Sequence, residues 1–239
     1  MSITIQDLEK ELKKEFQTAS ADFDKHLFDK PQYSKFCYIH KHLESGTKDH
    51  NCLGCNLNNI LMFTQVQIQQ ALKMDNIEHI YFQVIMSLYL AVERMDTVLN
   101  IVNINKPYRD KHFKTIHRIR KWANFIKHPK AFMFCHHPSF TFNGCSFNST
   151  IRKEFSQIID EPFILTYYSN NDDNDKLFQV LENKEKVLVV FPNITKLIKG
   201  FAEEANKFVS IVENNEVYRE ILTTKSTFLD YYIETKTES

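Results

Sequence analysis

Four polar side chains share a spacing that suits phosphate chemistry. His117, Lys121, Asn124 and His128 return to nearly one face if residues 108 to 128 are helical, because positions seven and eleven apart realign around a helix. Arg118, Arg120 and Lys127 flank that stripe. Imidazole exchanges protons near neutral pH, and cations hold phosphate and stabilise negative charge developing on it. Those ingredients can bind or cleave an RNA backbone. In the catalytic reading, His128 is the acid–base or phosphate-stabilising group, with Lys121 and Asn124 orienting it. Arg118, Arg120, Lys127 and His117 then contact RNA. From Lys106 to Lys130 nine Lys or Arg residues face one acid, Asp110, a local concentration in a chain whose formal net charge is zero. The simpler reading is a solvated helix face, since Lys and Arg also favour a helix C-terminus through the macrodipole.

A second cluster has metal-ligand spacing. Cys37-x-x-His40 and Cys52-x-x-Cys55 are two pairs whose two-residue gap lets both members face one tetrahedral ion. A structural zinc would give folding energy to a stretch with little core-forming capacity of its own. His42 and His50 are alternates for the histidine position, and three cysteines leave little room for a catalytic water. Cys135, His136, His137 and Cys145 form another cluster, but adjacent residues of a strand point to opposite faces, which disfavours a shared metal. Glu93 and Asp96 can orient His128 or Lys121, or can form ordinary salt bridges within a bundle, the reading preferred here. Tyr167, Tyr168 and Phe191 can stack on bases, although strand aromatics are more often core.

The wider composition sets limits. With 239 residues, 43% of them hydrophobic and 20 of them Phe, the chain can bury a core. Four scattered glycines supply no Gly-rich phosphate loop, which removes Rossmann and Walker-type nucleotide sites. No apolar run approaches the length of about 18 residues that spans a bilayer. The first residues lack the basic and apolar regions of a signal peptide. Five cysteines, three of them close to histidines, fit a reducing compartment, so a cytoplasmic location is expected.

Elements must position these groups. Leu8, Leu12, Phe16, Phe23 and Leu27 are spaced for a charged helix over 5 to 29, which Pro31 ends. An irregular stretch to 56 carries the Cys/His pairs. Helix is expected from Leu57 to Lys73. Ile77, Ile80, Tyr81, Val84, Leu88, Val92, Met95, Leu99 and Val102 then mark the apolar face of a long helix, closed at Lys106-Pro107. The basic helix runs from 108 to 128 and stops at Pro129. Ala131 to Phe142, Pro162 to Tyr168 and Lys186 to Phe191 read as strands. Ile194 to Val212 returns to helical spacing, and the tail from Glu216 is helix or strand. The fold class is mainly α: a helical bundle with a small inserted β segment (α+β) and an N-terminal zinc-knuckle-like loop. Residues 1–56 form the N-terminal helix and Cys/His loop, and 57–239 the helical domain, with the β-containing insertion at about 131–192.

A long apolar helix followed by a basic helix ending Asn124-Phe125-Ile126-Lys127-His128 resembles the HEPN superfamily of helical-bundle domains. Many members are metal-independent RNases or toxins of antiviral-defence and toxin–antitoxin systems. Their signature is an Arg, four to six residues, then His, often with a polar residue after the Arg. Asn124 fits the polar position. The Arg would fall at 121, 122 or 123, where this chain has Lys121, Trp122 and Ala123, and an ammonium does not reproduce the guanidinium fork. The resemblance covers residues 57 to 130. It implies an RNA-directed protein, an endoribonuclease or toxin-type effector needing no metal for catalysis, with a homodimer or a cognate protein as partner. The alternative is a non-catalytic interaction or regulatory protein with a structural zinc site.

Overall fold

The computed structural model describes residues 53–127 (75 apart), 139–143, 152–168, 182, 184–223 and isolated helical positions between 10 and 21. Seven α-helices are described from Leu53 onward: α1 (Leu53–Ala71), α2 (Ile77–Ile101), α3 (Lys106–His112), α4 (Lys114–Lys127), α5 (Glu161–Tyr167), α6 (Ile194–Glu213) and α7 (Glu216–Thr223). Three strands, β1 (Ser139–Phe142), β2 (Gln157–Ile159) and β3 (Val187–Phe191), lie between α4 and α6. The chain is thus mainly helical with a small β part.

α1 and α2 are an antiparallel hairpin. Thr64 donates to the Ser87 carbonyl at 3.3 Å and Gln83 to Gln67 at 3.1 Å, so one sequence number falls as the other rises. Asn76 caps α2 by accepting from the His79 amide. The apolar face expected on α2 is the buried one: Ile80, Tyr81, Val84, Leu88, Val92, Met95, Leu99 and Val102 all stand in the core. Asn103, at φ 56°, turns the chain after α2 in the left-handed region that Asn tolerates.

The sheet is wholly parallel, in the order β1-β3-β2, with Phe142 opposite Phe191 and Ile159 opposite Val189. Its middle strand, VLVVF, is buried along its whole length, as a central parallel strand must be. Phe191 stacks on Tyr81 at 5.0 Å between ring centres and lies 5.8 Å from Trp122. The sheet therefore packs on α2 and α4 together, bracing the basic helix from behind.

Several elements depart from the sequence reading. Residues 162–168, expected as a strand, lie in α5 and its C-cap: Asp160 accepts from the Phe163 amide and Pro162 occupies the first turn, where its missing N–H costs nothing. The strand at 157–159 went unread because it is only three residues long. Pro107 opens α3 instead of closing the preceding helix, with Asn105 as its cap. The basic helix expected over 108–128 is two helices, broken where Phe113 leaves helical geometry and drops into the core. α1 begins at Leu53, so Cys55 lies within its first turn. No helix among the described residues is long and apolar enough to cross a membrane.

Candidate functional site

Helix α4 is fixed at its start by a carboxylate from α6. Glu204 accepts from the amides of Thr115 at 2.7 Å and Ile116 at 2.9 Å, satisfying two of the donors a helix N-terminus leaves open. Burial pushes the Glu204 carboxyl up from its ordinary pKa, against the pull of those two amides. Gly200, one turn before Glu204, lets the helices close: a methyl group there would stand 2.7 Å from the Thr115 hydroxyl. Trp122 and Phe125 anchor the inward face, both in the core.

With α4 so placed, His117, Lys121 and Asn124 line one cavity of about 420 Å³. Lys106, Arg109 and Asp110 of α3, Asp96 and Asn100 of α2, Arg120, and Tyr168 at the end of α5 complete its polar wall. Lys121 is 4% exposed, an unusual burial for an ammonium. His117 is exposed at the rim, and partial desolvation with the nearby Lys121 ammonium lowers its imidazole pKa. It is therefore neutral near pH 7 and able to accept a proton. The Lys106 ammonium, 2.6 Å from Asp110, holds that carboxyl below the usual range.

Two donors in this wall are shielded from water and without a hydrogen-bond partner among the described residues. They are the Tyr168 hydroxyl and the Arg109 Nε. Burial raises the Tyr168 pKa, so the phenol stays protonated. Arg109 spends its Nη1 on Asp96 and Asn100.

The other sequence-chosen residues are placed differently. Arg118 makes a two-pronged pair with Glu161, at 2.5 and 2.9 Å. Arg120 reaches Glu93 at 2.8 Å and Asp96 at 3.0 Å, so the two acids of α2 form salt bridges with the basic helix. Lys127 sits 3.7 Å over the ring of Tyr89. His128, Cys37, His40 and Cys52 lie outside the described residues, as do Cys135, His136, His137 and Cys145. Cys55 is buried in α1. Among the described residues no group of three or more His, Cys, Asp or Glu side chains is gathered for a metal. Phe191 and Tyr168 are core, the Tyr168 hydroxyl included.

Sequence reasoning missed Arg109, Asn100 and the polar end of Tyr168. Asn100 and Arg109 bracket the turn between α2 and α3, and the bond between them shows only once that turn is folded. Tyr168 comes from a segment read as a strand. Comparison of the chain with protein-family models, curated proteins and solved structures gives no significant match.

Proposed function

We propose that this chain is an RNA-directed, HEPN-like protein that cleaves RNA without a metal, as a toxin or antiviral-defence effector. It would act in the cytoplasm, as a homodimer or with a cognate partner. One observation carries the proposal: His117, Lys121 and Asn124 converge on a single cation-lined cleft along α4. Metal-independent cleavage needs a proton acceptor, a proton donor and positive charge at the phosphate. His117 and His128 are the candidate proton carriers. Lys121 supplies charge whose effect is strengthened by its burial, and Asn124 supplies a hydrogen bond that orients the phosphate or the neighbouring imidazole. The expected result with total RNA and EDTA present is cleavage by the native chain, falling by about a hundredfold or more in His128→Ala. Full activity in that variant, or cleavage only after metal is added, overturns the catalytic proposal.

A second reading has its own support. Arg118 and Arg120 are already held by carboxylates, as in a helix that packs against a partner without doing chemistry. RNA left intact by both the native chain and His128→Ala would favour this interaction role. Either reading keeps a structural zinc on Cys37, His40, Cys52 and Cys55, with Cys55 presented from the start of α1. Elemental analysis of the purified chain is expected to find near-stoichiometric zinc; folded protein free of zinc rejects that ligand set.

A further inference from the structure

The charges of the cleft are largely matched from within. Lys106 is held by Asp110, Arg109 by Asp96, and Arg120 by Glu93 and Asp96, so three cations meet three carboxylates. Lys121, buried beside them, is engaged as well. A phosphate entering the cleft would compete with these carboxylates for the cations it touched. Two side chains of the cavity wall are left open. His117 is exposed and Asn124 half-buried, and neither end group has a hydrogen-bond partner among the described residues. A neutral imidazole and a carboxamide each donate and accept, unlike a guanidinium, which only donates. A nucleobase edge sets donors beside acceptors and a ribose hydroxyl does both, whereas a phosphodiester only accepts. His117 and Asn124 stand seven residues apart on one face of α4, about 10 Å along its axis. One nucleoside spans that separation from base edge to ribose. Leu99, Phe113 and Ile116 line the same cavity, an apolar surface suited to a flat ring and not to an anion. The volume of about 420 Å³ falls in the range of small-molecule sites.

From these features we infer that the cleft takes an unpaired base of an RNA strand together with its ribose. Asn124, the less exposed of the two, reads the base edge, and His117 at the rim meets the 2′-hydroxyl. The inference rests on the RNA-directed reading of the site, not on catalysis. It assigns Asn124 to the base, where the catalytic reading alone leaves it between phosphate and imidazole.

The test is fluorescence anisotropy on the full chain carrying His128→Ala, so that RNA stays whole. The native chain with cleavage-resistant 2′-fluoro strands serves as the repeat. Two short single strands with equal numbers of phosphates are compared, one bearing all its bases and one abasic at its centre. Adenosine, guanosine, cytidine and uridine serve as competitors, with ribose 5-phosphate beside them. The base-bearing strand is expected to bind about tenfold or more tightly. That difference should persist as salt is raised, since both strands release the same counterions. At least one nucleoside is expected to displace the strand at concentrations where ribose 5-phosphate does not. Asn124→Leu, close in size at a half-buried position, is expected to lose most of the difference and none of the abasic strand's affinity. Equal affinity for the two strands, or a difference untouched by Asn124→Leu, overturns the base pocket while leaving RNA binding intact. A nucleoside that raises the thermal melt of a chain binding neither strand overturns the RNA-directed reading, and the strand assignment with it. Absence of binding by every probe overturns both.

Discussion

The two flanks of α4 and the cleft between them carry the same kinds of cation and use them differently. On one flank Arg118 is gripped by Glu161, and on the other Arg120 by Glu93 and Asp96. Between them Lys121 is buried in a cavity whose wall also holds two donors without partners among the described residues. The flanks look like interhelical fastening, with each guanidinium matched to carboxylates in near-surface positions. Counting Lys and Arg along the helix therefore overstates how many face a ligand. Unsatisfied buried donors are the sharper guide, because leaving such a group unpaired costs more than an exposed ion pair returns.

Substitutions can break that contrast. The largest expected change in stability comes from Glu204→Ala, which strips the two-amide cap from α4 and loosens both flanks and cleft. Urea denaturation should show a loss of about 2 kcal/mol; an unchanged midpoint would mean that α4 is held elsewhere. The sign of the pH effect follows from the raised pKa of Glu204. The folded state keeps this proton to higher pH than the unfolded chain does. Its contribution is thus full below the unfolded value of about 4.3 and declines as pH climbs through the raised value. Arg120→Gln comes next, at about 1 kcal/mol, since Glu93 loses its guanidinium while Asp96 keeps Arg109. Arg118→Gln is the smallest, at about 0.5 kcal/mol, because its guanidinium holds one carboxylate, Glu161, where that of Arg120 holds two. A reversal of this order would show that the flanks are not simple fastenings.

Part of this was legible in the residues. The apolar face of α2 could be read from its period because one packing face dominates a long helix, and the alignment of His117, Lys121 and Asn124 follows from helical geometry alone. The acids of α2 could be identified as bundle salt-bridge partners, since Glu93 and Asp96 lie one turn apart on a helix that had to pack nearby. What escaped depends on distant segments. Glu161, Glu204 and Tyr168 reach α4 from chain positions far downstream, and no local spacing announces them. The misread of 162–168 hid Tyr168 in particular, because aromatic and β-branched residues outweighed the Asp160–Pro162 helix start. The break at Phe113 was invisible for the same reason: its new helix start is capped from α6, not by a neighbouring residue.

The contrast between flank and cleft is tested most directly by RNA affinity in matched single variants, Lys121→Met against Arg118→Gln, each checked for folding by its thermal melt. Lys121→Met is expected to weaken binding by about thirtyfold or more, and Arg118→Gln by less than about threefold. Equal losses, or a larger loss in Arg118→Gln with Lys121→Met folded, would contradict the assignment of the cleft as the site.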